Sequence, residues 1–204
     1  MSEFLNHAIE GLSKKDKKLN PKWFYDNEGS KIFEQITRLD EYYVTRTEIN
    51  ILKENQDEIS NYIGEHATII EPGAGASEKI KILIQSLKKP ELYVPSDISE
   101  TYIKDVAKKL EKALPNIKIE PWAFDFQSNE KIPNHIYEKK NLTTFFPGST
   151  IGNFEPSDAI NFLKKVKNQF CSDKIVIGVD LIKEKEILEK AYNDGLGIIN
   201  KDIT

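Results

Sequence analysis

Sulfur and imidazole are scarce in this sequence. Cys171 is the only cysteine among 204 residues, and His7, His66 and His135 lie far apart. Neither a disulfide framework nor a local Cys/His metal site can be built from them, which argues against a zinc enzyme and leaves no metal ligands to assign. No apolar run approaches the roughly 18 residues of a membrane span, and the N-terminal "MSEFLNHAIEGLSKKDKKLN" lacks the apolar core of a signal peptide. No membrane association and a cytoplasmic location are the expectation. A positive surface is missing too: 29 Lys and Arg stand against 33 Asp and Glu, for a formal net charge of −4. The lysines of "SKKDKK" and "LKKVKN" are offset by neighbouring acids and read as solvated faces, so no nucleic-acid partner is expected. There is no internal repeat and no low-complexity linker. What remains, 39% hydrophobic residues over this length, suits a soluble globular protein with a sizeable core.

From Ile69 onward short apolar runs alternate with helical patterns. "ATIIEPGAGASEK" predicts a strand to about Glu71, a glycine turn and a helix carrying Ile80, Leu83, Ile84 and Leu87. "ELYVPSDIS" predicts a second strand, and "ETYIKDVAKKLEKAL" a helix ended by Pro115. "IKIEPWAFDF", "NLTTFF" and "KIVIGVDLI" predict three more strands. Between the last two, Ile160, Leu163, Val166 and Phe170 recur at helical spacing, and "KEKEILEKAY" returns to helix. Such alternation implies an α/β fold: a doubly wound, mostly parallel sheet whose ligands sit outside the carboxyl ends of the strands. Residues 1–66 contain no convincing strand; "GSKIFEQITRL" and "TRTEINILKENQDEISNYI" read as helices of an N-terminal cap, leaving 67–204 as the Rossmann-like domain.

The strand ends carry the chemistry. After the first strand comes Glu71-Pro-Gly-Ala-Gly-Ala-Ser-Glu-Lys79, in which Gly73 and Gly75 permit a tight turn and close approach of a ligand. The third glycine of a dinucleotide fingerprint would fall at Glu78, so that fingerprint fails. Acidic flanks suit a cationic ligand better than a diphosphate, which favours S-adenosylmethionine over NAD. Asp97 follows the second strand, where an acid reaches ribose hydroxyls; its alternative is a helix cap beside Ser99. Asp125 and Phe126 follow the third, placed to accept an adenine amino group and cover its ring, or to sit as a loop acid beside a core aromatic. Taken jointly, three successive strand ends converge on a nucleoside cofactor.

"PKWFYDNEGSKIFEQITRLDEYYVTRTE" (residues 21–48), "EPGAGASEK", "VPSDIS", "FDF", "FFPGSTIGNFEP", "GVDLIKE" and "AYND" occur in an order that resembles the S-adenosylmethionine-dependent L-histidine Nα-methyltransferases of ergothioneine biosynthesis. The resemblance spans nearly the whole sequence. It implies a class I methyltransferase fold and trimethylation of the α-amino group of L-histidine to hercynine. It implies cofactor roles for Gly73, Lys79, Asp97, Asp125 and Phe126, although helix spacing alone makes Lys79 an ordinary exposed lysine. For the amino acid it implies Tyr42 near the imidazole, Asn153 and Tyr192 as polar groups fixing the backbone, and Gly148 as the place where a main-chain carbonyl meets the amine. Packing aromatics, a turn residue and a helix end are the corresponding structural readings. No residue stands out as an obligatory catalytic base.

Two departures accompany the resemblance. Ser96 stands where the family has an aromatic before the acid corresponding to Asp97. Family members also continue well past the last residue of this sequence, and that C-terminal part of the family fold supplies an acid and a hydroxyl to the imidazole. Methylation of another amine, a non-catalytic cofactor-binding fragment, and a nicotinamide-dependent oxidoreductase are the competing readings.

Overall fold

The computed structural model describes residues 3–19, 23, 27–75, 78–124, 130–193, 195 and 197–201. In chain order the helices are α1 (Glu3–Leu12), α2 (Asn27–Ile36), α3 (Tyr43–Glu54), α4 (Gln56–Ile63), α5 (Glu78–Ser86), α6 (Glu100–Ala113), α7 (Asn134–Tyr137), α8 (Pro156–Asn168), α9 (Lys185–Ala191) and α10 (Ile198–Lys201). The strands are β1 (Thr68–Pro72), β2 (Leu92–Asp97), β3 (Lys118–Ile119), β4 (Trp122–Ala123), β5 (Leu142–Phe146) and β6 (Lys174–Ile177). Among the described residues no helix is long and apolar enough to cross a membrane.

The chain divides into two compact units, one from Val44 to Ile182 and one formed by the residues up to Tyr43 together with those from Lys183 onward. In the larger unit every strand pairing is parallel, in the order β3-β2-β1-β5-β6, with β4 continuing the β3 edge along β2. This is the expected doubly wound α/β sheet. The connections run outward in opposite directions from the centre, so the crevice between β1 and β5 is the topological switch point.

β1 and β5 are buried along their whole length on both faces, as central parallel strands are, although Thr68, Glu71, Thr143 and Thr144 among them are polar. Alternate residues feed opposite faces. Ile69, Tyr93 and Phe145 join a core with Leu52 of α3, Ile63 of α4 and the inner faces of α5 and α6; Ile70, Val94 and Phe146 join the other with Trp122, Phe162, Val166 and Phe170.

Three elements depart from the pattern the sequence suggested. The third strand is interrupted at Glu120–Pro121, where proline has no N–H to donate, and resumes as β4. The last strand stops at Ile177 rather than running through "GVDLI". Its partner is the reason: β5 ends at Phe146, whose carbonyl accepts the Gly178 N–H at 3.0 Å, and Pro147 cannot extend the ladder. On α8 the buried face is Phe162 and Val166, continued past its end by Phe170, whereas Ile160 and Leu163 are exposed. The Phe162 ring packs 4.4 Å from that of Phe146 and 5.6 Å from that of Phe154, so the larger side chain takes the inner position.

The smaller unit draws α1, α2, α9 and α10 from the two ends of the sequence, with α10 packed on α2 and with Ile36, Leu39, Tyr42, Ala191 and Ile199 buried. The expected boundary at residue 66 placed α3 and α4 with the N-terminal helices. Beyond Tyr43 these two helices instead lie in the larger unit, because Leu52 and Ile63 complete the core under the sheet.

Candidate functional site

At the carboxyl end of β1 the chain turns at Gly73, whose φ of 68° is a left-handed conformation that favours glycine. Ala74 N–H donates to the Ser96 carbonyl at 2.9 Å and ties this turn to the end of β2. Gly73 is exposed, while the acid before it is not: Glu71 is 2% exposed and accepts the Tyr93 hydroxyl at 2.5 Å. Burial pushes the Glu71 carboxyl up to about 8, against opposing effects of the Tyr93 hydrogen bond and the Lys79 charge. Glu71 therefore belongs to the interior beneath the turn rather than to the turn's surface.

Asp97 ends β2. Its Oδ1 accepts the Ser99 N–H at 2.9 Å, and Ser99 in turn caps α6 by accepting the Tyr102 N–H. The cap of α6 is therefore Ser99 and not Asp97, whose carboxylate instead holds the N–H of the capping residue and keeps acceptor capacity to spare. Burial raises the Asp97 pKa above the ordinary aspartate value, while backbone N–H groups of Ser99 and Ile98 pull it down. Asp125 and Phe126 lie outside the described residues.

Lys79 is not the ordinary exposed lysine that helix spacing suggests. Its side chain is 11% exposed, and Nζ donates to Glu48 Oε2 at 2.6 Å across from α3. The Gly148 N–H donates to both oxygens of the same carboxylate, at 2.9 and 2.8 Å. Gly148 has φ 85°, and a Cβ there would stand 3.3 Å from Lys79 Nζ. Glu48 therefore joins the helix after β1 to the loop after β5, and the sequence reading had not singled it out as a site residue. The signal available was only its place in "TRTE", where an amphipathic helix accounts for a glutamate without further explanation.

The loop continues through Ser149, at φ 57°, into a single 3₁₀ turn over Thr150–Asn153, and Asn153 is exposed at its end. Ser149 Oγ accepts the Asp180 N–H at 2.9 Å, which links this loop to the one following β6. Pro156 then starts α8 at a position that needs no backbone donor. In the smaller unit Tyr42 is buried and packs edge-on against Phe33 and Tyr192, with ring centroids 6.2 and 5.7 Å apart. Tyr192, at the end of α9, is exposed. Of the residues picked out from the sequence, Gly73, Lys79, Asp97, Gly148 and Asn153 therefore lie at the carboxyl side of one sheet, and Tyr42 and Tyr192 are neighbours within the other unit.

Residues 4–201 match the family described as histidine-specific, SAM-dependent methyltransferases. The chain is 37% identical to a histidine N-alpha-methyltransferase of Mycolicibacterium smegmatis, over 92% of this chain and 59% of that protein. A protein of the same name from Mycobacterium tuberculosis is 35% identical, over 94% of this chain and 60% of its own length. Ergothioneine biosynthesis protein 1 of Neurospora crassa is 32% identical, over 88% of this chain and 21% of that protein. The chain thus spans about 60% of the length of the two mycobacterial relatives.

Proposed function

Since the chain belongs to the family of histidine-specific, S-adenosylmethionine-dependent methyltransferases, we propose that it methylates the α-amine of L-histidine three times, giving hercynine, as a step in ergothioneine biosynthesis. The observation that carries this reading is the clustering of Gly73, Lys79, Asp97 and Gly148 at the strand ends beside the switch point. Those residues suit the cofactor chemically. Gly73 leaves the β1 turn open, Lys79 offers a cation to a carboxylate, and Asp97 keeps acceptor sites for ribose hydroxyls. In this reading Asp125 and Phe126 take the adenine and Gly148 and Asn153 take the amino acid, while a role in binding the amino acid is proposed separately for the Tyr42–Tyr192 pair of the smaller unit.

When bound, S-adenosylmethionine supplies an electrophilic methyl group on a sulfonium. The task of the chain's own residues is orientation: the amine lone pair must be held in line with the group it attacks, and no covalent link to the protein is required. An ammonium has no lone pair, so one proton leaves the nitrogen before each transfer. Solvent accepts it in this account, with the Gly148 carbonyl steadying the amine and Asn153 the amino-acid backbone. The reaction belongs in the cytoplasm on this reading.

The cofactor half is tested by titrating the chain with S-adenosylmethionine and, separately, with NADH. One-site binding of the sulfonium and no heat with NADH is the expected outcome; the reverse pattern would revive a nicotinamide-dependent oxidoreductase.

A further inference from the structure

We propose that Glu48 is a positioning residue shared by both halves of the site, holding the Lys79 ammonium and the Gly148 amide on one carboxylate. The proposal rests on the reading above for what Lys79 and Gly148 contact, and on the geometry for how they are held. Both ends of the Glu48–Lys79 ion pair are largely buried, at 14% and 11% exposure. Removing two charges from water is unfavourable unless their remaining hydrogen-bonding positions are met, and here the Gly148 N–H donates to both carboxylate oxygens. Lys79 Nζ, with three donors, commits one to Glu48 and keeps others for an anionic group at the mouth of the β1 turn.

Fixing the Gly148 N–H also fixes its backbone. The peptide is planar, so pinning the Gly148 N–H holds the Pro147–Gly148 peptide plane, from which the chain leaves at φ 85°. Glu48 thus anchors the start of the loop assigned to the amine while it restrains the cation assigned to the cofactor.

Gly178 completes the device. Its φ is not in the left-handed region, so turn geometry does not explain a glycine there. Space does: a Cβ at Gly178 would stand 1.8 Å from Glu48 Oε1 and 3.2 Å from the Gly148 nitrogen. The absence of a side chain at the end of β6 makes room for the carboxylate between the two loops. Three chain segments remote in sequence, at Lys79, Gly148 and Gly178, therefore meet on the Glu48 carboxylate.

The test is a double-mutant cycle on the full chain, using Glu48→Ala, Lys79→Ala and the pair, read by calorimetric affinity for S-adenosylmethionine. Glu48→Ala alone should weaken binding roughly tenfold to a hundredfold, the loss that follows removal of an orienting partner at other ligand sites. In the Lys79→Ala background the same change should have little further effect, because its route to the cofactor is gone. A purely structural role would give the same loss in both backgrounds, and that additivity overturns the proposal. Glu48→Gln keeps the volume if the alanine variant folds poorly; it should also weaken binding, since its amide nitrogen cannot accept from Lys79.

A second readout needs no cofactor. The Gly148 amide proton, bonded to a carboxylate, should resonate downfield in the wild type and move upfield in Glu48→Ala, Glu48→Gln and Gly178→Ala. An unmoved Gly148 resonance in all three would contradict the arrangement. A wild-type chain without affinity for S-adenosylmethionine sinks the functional reading, whereas wild-type affinity with additive variants sinks the Glu48 role alone.

Discussion

Asp97→Ala should lower the affinity of the chain for S-adenosylmethionine by on the order of a hundredfold, from loss of charge-assisted hydrogen bonds. The carboxylate stands at the end of β2, partly buried, with one oxygen engaged by the Ser99 N–H. What the proposed role needs from it is acceptor capacity beyond these backbone contacts, enough for ribose hydroxyls. The competing role is structural, since the same contact holds the N–H of Ser99, the residue that caps α6, and losing a hydrogen bond of this kind costs about 1 kcal/mol of stability. Asp97→Asn separates the two. It retains an acceptor for Ser99 and so preserves most of the stability, yet it removes the charge and should bind much more weakly than the wild type. Calorimetric affinity and thermal denaturation of both variants make the comparison. Unchanged affinity in Asp97→Ala with a lowered melting temperature would reduce Asp97 to a support for the residue that caps α6. Since burial raises its pKa, wild-type affinity should also begin to fall at a higher pH than an ordinary aspartate would cause.

The second large effect is on stability rather than binding. Glu71 in the folded chain titrates at about 8 against an ordinary value of 4.5, with burial the first cause. Between those two values the folded state binds more protons than the unfolded state, so stability falls as pH rises. The contribution is complete below about 4.5 and is lost as pH climbs through about 8. Its size is on the order of a few kcal/mol. Glu71→Gln keeps a neutral acceptor for the Tyr93 hydroxyl and cannot ionise. The variant should therefore be more stable than the wild type at alkaline pH, with the difference narrowing toward acid. Urea denaturation at about pH 5 and about pH 9 measures this directly. Parallel stability curves for the two proteins would show that Glu71 ionises as freely in the folded chain as in the unfolded one.

The alternation of strand and helix was legible because parallel sheets demand it: runs such as "TIIEP" and "LTTFF" are buried on both faces, and the turns between them carry glycine and aspartate. That same logic singled out Gly73 and Asp97 at strand ends, whereas Gly148 entered through the family resemblance. It was silent on Glu48 and Gly178, because their role exists only once α3, α5 and the loops after β5 and β6 are brought together. A glycine in "KIVIGVDLI" looks like a weak point in a strand, whereas the structure uses its missing side chain as the seat of a carboxylate. Lys79 misled for a related reason, since helical periodicity reports which face a residue occupies but not that a partner 31 positions away will bury it. Of the apolar set Ile160, Leu163, Val166 and Phe170, the last two are buried, but Phe162 takes the inner place in the first half of α8, because these residues are all apolar and only ring packing on Phe146 decides between them. The joining of α9 and α10 with the N-terminal helices has no local signature at all.

The most direct measurement is of product. The chain would be incubated with S-adenosylmethionine and each of a panel of amino acids, histidine among them, and the products identified by mass spectrometry with fragmentation to locate the added methyl groups. The account predicts mono-, di- and trimethylated histidine, all modified on the α-nitrogen, ahead of every other amino acid offered. Methylation of a different amino acid, methylation on the imidazole ring, or cofactor binding with no methylated amine at all would contradict it.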